Sequence, residues 1–304
     1  MQYQSTTSAP YCLEPCEYLA PTTFEIPRFA CDTHAHVVSP DAETYSLISE
    51  RKYTPVVSSE DDYLTMLDAL GMERGVLIQI SVYGTDNRYM LKVLRRHPSR
   101  LRGVAVAAPD VTDNELSAMH EAGVRGLRIN VLYGGGVSLN DMEKLAEKIE
   151  SMGWHLQLLL DARQLPELMP RLKKLKLPVV ADHMGHMPVA LGTSNPGFQA
   201  LKHLMTDHGW WTKLSGAYRI SETLAPYPDV AGWARELIEA SPERVVWGSD
   251  WPHVATSPMP DTGELRNLLA TWIPEADLRH RVLVSNPERL YGFPVSGDLT
   301  HHNN

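Results

Sequence analysis

Cysteine is scarce in this sequence of 304 residues. The three that occur are Cys12, Cys16 and Cys31, and no two of them form a Cys-x-x-Cys pair. An odd number of cysteines without that spacing is typical of reduced thiols. We therefore expect a cytoplasmic protein.

Long apolar runs are absent as well. The chain has no stretch of about 18 consecutive apolar residues, which is the length that a membrane-spanning helix needs. Residues 1–10 are polar and lack the basic segment followed by an apolar segment that marks a secretory signal. The sequence predicts neither a membrane span nor a secretory signal.

An excess of basic residues is also missing. The formal net charge is −9, and acidic and basic residues are interspersed along the chain. Proteins that bind nucleic acid usually carry a clustered positive patch, so we expect a small molecule as partner and no nucleic acid. A hydrophobic content of 43% indicates a globular protein, which we expect to be a monomer or a small homo-oligomer.

Two glycine motifs do not occur. No Gly-x-Gly-x-x-Gly follows the first predicted strand, which argues against a doubly wound dinucleotide-binding sheet. No Gly-x-Ser-x-Gly is present, which argues against a serine esterase mechanism.

What the sequence does contain is a regular alternation of strand and helix patterns. Short apolar segments, often β-branched, are typical of strands that are buried on both faces. Eight of them cover residues 29–32, 75–80, 101–107, 124–129, 155–160, 178–181, 211–214 and 244–247. Apolar residues recur at helical spacing between them, over residues 61–70, 140–152 and 229–240.

This alternation predicts an α/β fold of the (β/α)8 TIM-barrel type. We place the barrel at residues 28–293, as a single domain. Residues 1–27 contain four prolines and are predicted to form an extended arm packed outside the barrel. Residues 294–304 are predicted to form a C-terminal tail. A doubly wound open sheet is the alternative architecture.

Histidine and aspartate mark the ends of three predicted strands. His34 and His36 follow the first strand, and strand residues two apart point to the same side. His183 follows the sixth strand and Asp250 the eighth. Because the carboxyl ends of barrel strands meet at the active-site face, we expect these side chains to converge. Such a set is either a metal site or a group of imidazoles that polarises a substrate carbonyl.

Several segments resemble a known family. The motifs are Ala-Cys-Asp-Thr-His-Ala-His at 30–36, Arg-x-Tyr-Thr-Pro at 51–55, Gly-Leu-Arg-Ile-Asn at 126–130, Ala-Asp-His-Met-Gly at 181–185, Lys-Leu-Ser-Gly-Ala-Tyr-Arg at 213–219 and Trp-Gly-Ser-Asp-Trp-Pro-His at 247–253. They are similar to motifs of the amidohydrolase superfamily, and within it of the 2-pyrone-4,6-dicarboxylate lactonase and sulfomuconolactone hydrolase group, over roughly residues 28–292. The resemblance implies a hydrolase that opens lactones.

Whether the protein needs a metal ion is inferred from how this sequence differs from metal-dependent members of the family. Metal-dependent members usually add a histidine at the end of strand five, where this chain has Asp161, and His155 lies at the start of that strand. Arg128, near the end of strand four, would oppose a divalent ion. We therefore expect no required metal. The alternative is one Zn²⁺ with four candidate ligands, His34, His36, His183 and Asp250.

The resemblance also implies roles for individual residues. Asp250 would act as the general base on water, and the three histidines would polarise the lactone carbonyl and stabilise the oxyanion. Arg128 and Arg219 would clamp an anionic substituent, because a guanidinium binds a carboxylate or sulfonate in a bidentate manner. Four further residues are expected to bind the substrate by hydrogen bonds, Tyr53, Ser81, Tyr218 and Asn130.

The sequence departs from the family pattern at two positions. The resemblance implies a second arginine shortly after strand four and a tyrosine on strand five, where this chain has Gly134 and Leu159. The pocket for one carboxylate is therefore altered, which favours a related anionic lactone, such as a sulfonated muconolactone. For Arg128, the alternative is a structural ion pair with Asp161 or Asp110.

A lyase is the alternative from another class of enzyme. Superfamily relatives of the decarboxylase branch use His-x-His and a late aspartate with zinc on an unsaturated carboxylic acid. The missing histidine on strand five argues against this alternative. A ligand-binding barrel without catalysis is a third hypothesis, and it leaves Asp250 and the three histidines without a role.

Overall fold

The computed structural model describes residues 9–133 and 137–296. Eight parallel strands follow one another in sequence order, and Ala35 pairs with Trp251 to join the first strand to the segment after the last. The strands are β1 (Cys31–Ala35), β2 (Arg74–Ile78), β3 (Leu101–Ala105), β4 (Val124–Asn130), β5 (His155–Leu159), β6 (Val179–Ala181), β7 (Trp211–Leu214) and β8 (Val245–Trp247). The predicted (β/α)8 barrel is confirmed, and a doubly wound sheet, which would reverse its strand order, is excluded.

Helices connect the strands and surround the barrel. In the described part of the chain they are α1 (Glu60–Ala69), α2 (Arg88–Arg96), α3 (Asp113–Ala122), α4 (Met142–Glu150), α5 (Leu165–Leu172), α6 (Pro196–His208), α7 (Ala217–Ile220), α8 (Val230–Ala240), α9 (Thr262–Trp272), α10 (Ala276–His280) and α11 (Asn286–Tyr291). Among these described helices, none has the length and apolar character that a membrane crossing requires.

The first strand begins later than the sequence predicts. Phe29 has a φ of 63°, a left-handed backbone conformation that interrupts an extended segment. The strand therefore starts at Cys31 and continues to Ala35. As a result His34 is part of the strand itself and His36 follows its last residue. The other seven predicted strands overlap the observed ones.

The three predicted helices correspond to α1, α4 and α8. Helix α1 begins where Ser59 and Asp62 form a capping box, in which each side chain accepts a hydrogen bond from the other residue's amide. Helix α4 starts later than predicted, because a 3-10 turn, Leu139–Asp141, precedes it, and it ends two residues earlier, at Glu150. The helical spacing of apolar residues predicted these three helices because their apolar faces pack on the barrel.

The barrel interior has an apolar layer and a charged layer. Near the amino ends of the strands, Cys31, Val76 and Val246 pack with Tyr291 of α11. Farther along the strands lie buried polar side chains, Arg128, Gln157, Asp182 and Lys213. Buried charges are tolerated only when they are paired and hydrogen-bonded, so each charged side chain of this layer needs a partner inside the barrel. This charged layer lies directly below the candidate active site.

The described part of the N-terminal arm is tied to two loops at the carboxyl end of the barrel. The Cys12 amide donates to the Thr54 carbonyl over 2.8 Å, and the Thr54 amide donates to the Pro10 carbonyl over 2.7 Å. The Ala255 amide donates to Cys12 Sγ over 3.3 Å. Of the predicted C-terminal tail, residues 297–304 lie outside the described residues.

Candidate active site

Three imidazoles surround one carboxylate at the carboxyl end of the barrel. His34 Nε2 and His36 Nε2 lie 3.7 and 3.8 Å from Asp250 Oδ1, and His183 Nε2 lies 3.9 Å from Asp250 Oδ2. All four side chains are buried. The structure therefore brings together the four residues that the sequence placed at separate strand ends.

The backbone at these strand ends is specialised. His183 and Asp250 have φ values of 50° and 64°, a conformation that non-glycine residues rarely adopt and that clusters at functional sites. A Cβ atom at Gly248 would lie 2.6 Å from the Cβ of His34, and one at Gly216 would lie 2.9 Å from Nδ1 of His183. Two motif glycines are thus required for the imidazoles to fit.

The second ring nitrogen of each imidazole has its own partner. His36 Nδ1 lies 2.8 Å from the Ile78 carbonyl oxygen, which can only accept, so the proton of neutral His36 is inferred to be on Nδ1. Its Nε2 therefore presents a lone pair to the centre of the site. His183 Nδ1 lies 2.8 Å from the Ser215 hydroxyl, which can donate or accept.

Asp182 organises the charged layer below the imidazoles. Its Oδ2 accepts hydrogen bonds from Arg128 Nε at 3.2 Å, Arg128 Nη2 at 3.1 Å and Gln157 Nε2 at 3.1 Å. The ion pair that was the alternative for Arg128 therefore exists, but its partner is Asp182 and not Asp161 or Asp110. Arg128 pairs with Asp182 because its side chain points into the barrel, where Asp182 is buried.

Arg219 and Tyr218 hold the Asp250 carboxylate. Arg219 Nε donates to Asp250 Oδ2 over 2.6 Å, and the Tyr218 hydroxyl donates to the same oxygen over 2.7 Å. The other Arg219 nitrogens donate to the Tyr133 hydroxyl at 3.3 Å and the Val254 carbonyl at 3.1 Å. Both residues, predicted as substrate ligands, thus contact the candidate base directly and leave its Oδ1 facing the first two imidazoles.

The electrostatics keep Asp250 ionised and the imidazoles neutral. Burial by itself would raise the pKa of Asp250, but the adjacent Arg219 guanidinium holds that pKa well below its usual range. Burial lowers the pKa of His36 to about 3 and also lowers the pKa values of His34 and His183. Near neutral pH the site therefore combines a carboxylate with uncharged imidazoles.

These groups open into a small cavity of about 20 Å³. Its lining includes most of the predicted substrate-binding residues together with two, Tyr133 and Val254, that were not predicted to be there. The lining residues are His36, Tyr53, Ser81, Arg128, Asn130, Tyr133, Leu159, His183, Arg219, Asp250 and Val254. The Tyr53 hydroxyl lies 2.7 Å from the Ser81 hydroxyl. Of the two departures from the family pattern, Leu159 faces this cavity and Gly134 lies outside the described residues.

Sequence reasoning missed the residues that support the site from behind. Asp32 accepts hydrogen bonds from the His34 amide at 3.1 Å, the Ser249 amide at 2.8 Å and the Ser249 hydroxyl at 2.6 Å. It therefore ties the His-x-His strand to the segment that carries Asp250. Asp182 and Lys213 were also missed. Each of them stands inside one of the quoted motifs, so their motif positions were the available signal, but their burial and partners were not predictable.

The same residues could hold a metal ion. His34, His36 and Asp250 form one candidate ligand set, and His34, Asp182 and His183 form another, with ligand atoms within 4.8 Å of one another in each. Within the described residues, His34 Nε2 has no hydrogen-bond partner. Zinc binds nitrogen and oxygen ligands at about 2.0–2.2 Å, so atoms spaced in this way fit one ion at the centre of the site.

Comparison with known proteins identifies relatives along most of the chain. Residues 31–293 match the model of the amidohydrolase family. The chain is 35% identical to a 4-sulfomuconolactone hydrolase of Hydrogenophaga intermedia, covering 98% of this chain and 100% of that protein. It is 36% identical to a 2-pyrone-4,6-dicarboxylate hydrolase of Comamonas testosteroni, covering 88% and 92% of the two chains.

A solved structure agrees with these relatives. A probable 2-pyrone-4,6-dicarboxylic acid hydrolase of Acinetobacter baumannii, crystallised with citric acid bound, superimposes with a TM-score of 0.77 at 29% identity and covers 87% of this chain and 100% of its own. The barrel, the imidazole cluster and the match along residues 31–293 lead to the same result. The chain belongs to the amidohydrolase family.

Proposed function

We propose that this protein is a hydrolase that opens an anionic lactone by attack of water on the lactone carbonyl. The observation that carries the proposal is the Asp250 carboxylate, which lies 3.7–3.9 Å from three imidazoles inside an arginine-lined cavity. A lactone is an activated ester, so a carboxylate base and well-placed hydrogen-bond donors supply what its hydrolysis requires.

Asp250 is assigned as the general base. Because Arg219 and Tyr218 occupy its Oδ2, the Oδ1 oxygen is the one that removes a proton from water. His36 has its proton on Nδ1 and accepts a hydrogen bond from that water through Nε2. This is a different role from the carbonyl polarisation predicted from the sequence. His34 and His183 remain as the imidazoles that can donate to the developing oxyanion.

The bond changes follow from these roles. The water oxygen bonds to the lactone carbonyl carbon while its proton passes to Asp250, and the carbonyl oxygen becomes the oxyanion. The bond from the carbonyl carbon to the ring oxygen then breaks, and Asp250 returns the proton to the leaving oxygen. The product is a hydroxy acid whose carboxyl group ionises at neutral pH, so each turnover releases one proton.

The anionic group of the substrate is assigned to Arg128. Its Nε and Nη2 hold Asp182, and its Nη1 makes no hydrogen bond to any residue that the structure describes. The side-chain oxygen of Asn130 accepts bonds from the Leu132 and Tyr133 amides at 3.0 and 3.1 Å, which leaves the Asn130 amino group for a ligand. Tyr53 and Ser81 add their two hydroxyls to the same cavity.

The names of the relatives support an anionic substrate. They refer to a sulfonated muconolactone and a pyrone dicarboxylate, and the Acinetobacter protein was crystallised with citric acid, also a small polyanion. The apolar side chain of Leu159 lies where the resemblance implies a tyrosine for a carboxylate. We therefore favour a lactone of the sulfomuconolactone type over the pyrone dicarboxylate.

We infer that the reaction requires no bound metal. Arg219 donates directly to Asp250, and Arg128 and Lys213 lie just below the imidazoles, so a divalent ion at the centre would be repelled by three nearby cations. If zinc does bind, His34, His36 and Asp250, with His183, are the residues that hold it. It would then supply Lewis-acid polarisation of the carbonyl or a more acidic bound water.

The cluster of three imidazoles and a carboxylate also supports a second candidate function. A zinc-dependent decarboxylase acting on an unsaturated carboxylic acid needs the same ligand types. The two reactions differ in their products, because lactone hydrolysis consumes base at constant pH and decarboxylation releases carbon dioxide. We expect base uptake with anionic lactones and no carbon dioxide from unsaturated acids. Carbon dioxide release without base-consuming lactone opening would assign the lyase.

A further inference from the structure

Lys213 is a buried ammonium group directly behind the catalytic imidazoles. It stands on β7 and is fully buried inside the barrel. Its Nζ lies 2.8 Å from the Thr33 carbonyl oxygen, 3.3 Å from His34 Nδ1 and 3.9 Å from Asp182 Oδ1. Burying an ammonium is costly unless acceptors receive its hydrogens, so each of these contacts restricts what its partner can be.

The contact with His34 decides which ring nitrogen carries the proton. An ammonium has donors only, so a hydrogen bond from Lys213 requires a lone pair on His34 Nδ1. The proton of the neutral ring must then be on Nε2. If it were on Nδ1, two donors of fully buried side chains would face each other across 3.3 Å.

Asp182 is the only other group at that nitrogen among the described residues. Its Oδ1 lies 3.4 Å from His34 Nδ1, but this oxygen makes no hydrogen bond within the part of the chain that the structure describes. Its other oxygen already receives three hydrogen bonds from Arg128 and Gln157. Asp182 thus stabilises the Lys213 cation by its charge, and its Oδ1 is not aligned to accept a hydrogen bond from His34.

We infer that Lys213 is a positioning residue that holds the proton of His34 on Nε2, pointing at the reaction centre. His36 is fixed in the opposite tautomer by the Ile78 carbonyl. The His-x-His pair therefore consists of one donor and one acceptor, which suits an oxyanion and a nucleophilic water side by side. This consequence for catalysis rests on the proposed lactone hydrolysis, whereas the tautomer itself does not.

The tautomer can be measured by nitrogen-15 NMR of protein with labelled histidines, after dialysis against a chelator. The His34 signals are assigned from their loss in His34→Gln. We expect protonated Nε2 in the wild-type protein and transfer of the proton to Nδ1, facing Asp182, in Lys213→Met. Lys202→Met is the matched control, because Lys202 pairs with Glu236 at the edge of α6 and should leave the His34 signals unchanged.

Kinetics provide the second test. Lys213→Met should lower kcat on an anionic lactone by about tenfold or more, since the loss of one oxyanion donor typically costs about a hundredfold, while KM changes little. Lys213→Gln, whose amide can still donate, should retain more of kcat than Lys213→Met. Equal kcat values in the two variants would overturn the positioning role.

The outcomes separate this inference from the proposed function. A proton on Nδ1 in the wild-type protein overturns the inference, and that spectrum is decisive even if Lys213→Met fails to fold. An unchanged His34 tautomer in folded Lys213→Met overturns it as well. A proton on Nε2 in a protein that opens no lactone would support the tautomer assignment and reject lactone hydrolysis.

Discussion

At the scale of single residues, the site depends on how Asp250 is held. Two donors, Arg219 and Tyr218, bind one carboxylate oxygen, and the other oxygen faces imidazole nitrogens. This arrangement fixes the rotamer of the base and keeps it ionised. A base with a pKa far below neutrality is weak, so the oxyanion donors must supply a large part of the rate enhancement.

Replacement of Asp250 tests its assignment as the base. Asp250→Asn keeps the shape of the side chain and removes the negative charge, so turnover should fall by about 10²–10⁴-fold, the usual contribution of a general base. The rate of lactone opening at saturating substrate measures the effect. Asp161→Asn is the control, because Asp161 follows strand β5 but pairs with Arg163 outside the cavity. Near-normal turnover in folded Asp250→Asn would reject the assignment.

Substitutions of Arg128 and Arg219 should differ in their effects on anionic and neutral lactones. Lysine has one nitrogen in place of the three of a guanidinium, so at position 128 it cannot pair with Asp182 and also donate to the anionic group of the substrate. We expect Arg128→Lys to lower kcat/KM for an anionic lactone by more than tenfold, about 1.4 kcal/mol, and to affect a neutral lactone of the same ring size much less. Arg219→Lys should impair both lactones, because Arg219 contacts Asp250. The reverse pattern would move the anion site from Arg128 to Arg219.

At the scale of elements, the barrel presents its catalytic groups from three strand ends while a separate segment supports the cavity wall. The arm residues around Cys12 are hydrogen-bonded to Thr54 and Ala255, which are the chain neighbours of Tyr53 and Val254 in the cavity lining. The arm thus contacts the cavity wall through backbone hydrogen bonds and the Cys12 sulfur.

Removal of the arm residues around Cys12 should weaken substrate binding. Deletion of residues 1–13 removes several hydrogen bonds to these two loops, and each hydrogen bond contributes about 1 kcal/mol. KM should therefore rise by up to about tenfold, with a smaller change in kcat. Deletion of residues 1–8 leaves these hydrogen bonds in place and is the control. Steady-state kinetics measures KM for both truncated proteins. Equal KM values would show that the arm does not position the cavity wall.

Strands and helices could be predicted from sequence, and the partners of buried charges could not. Most barrel strands are mainly apolar segments buried on both faces, so local pattern and final environment agree. Strand β1 (Cys31–Ala35) is the exception, because Asp32, Thr33 and His34 lie within it. His34, His36, His183 and Asp250 were found for the same reason, since fold geometry brings strand ends together. The position of Arg219 on Asp250, and of Lys213 behind His34, depends on rotamers and on pairing across the barrel, which no local pattern records.

At the scale of the whole molecule, buried neutral histidines should make stability sensitive to acid. Burial lowers the pKa values of His36, His155 and His253 from 6.5 to about 3, so below pH 6.5 the unfolded chain binds protons that the folded chain does not. Each of these three histidines should lower the free energy of unfolding by up to about 1.4 kcal/mol for every pH unit below 6.5. Asp32, whose pKa burial raises to about 6, acts in the opposite direction.

Urea unfolding between pH 7 and 5 measures this effect. We expect the free energy of unfolding to fall as the pH is lowered, with a smaller slope in His155→Leu, because His155 starts β5 away from the site and both its ring nitrogens lack partners within the described residues. His208→Gln, at the exposed end of α6, should keep the wild-type slope. A stability independent of pH over this range would contradict the neutral state of the buried histidines.

The most direct test of the proposed hydrolysis is base uptake at constant pH by the chelator-treated enzyme, with its metal content measured on the same sample. We expect anionic lactones of the sulfomuconolactone type to be opened with one equivalent of base per ring, at a rate unchanged by chelation and by added Zn²⁺. Loss of activity on chelation, restored by about one equivalent of Zn²⁺, would contradict the metal-independent mechanism. An absence of base uptake with every anionic lactone would contradict the proposed reaction itself.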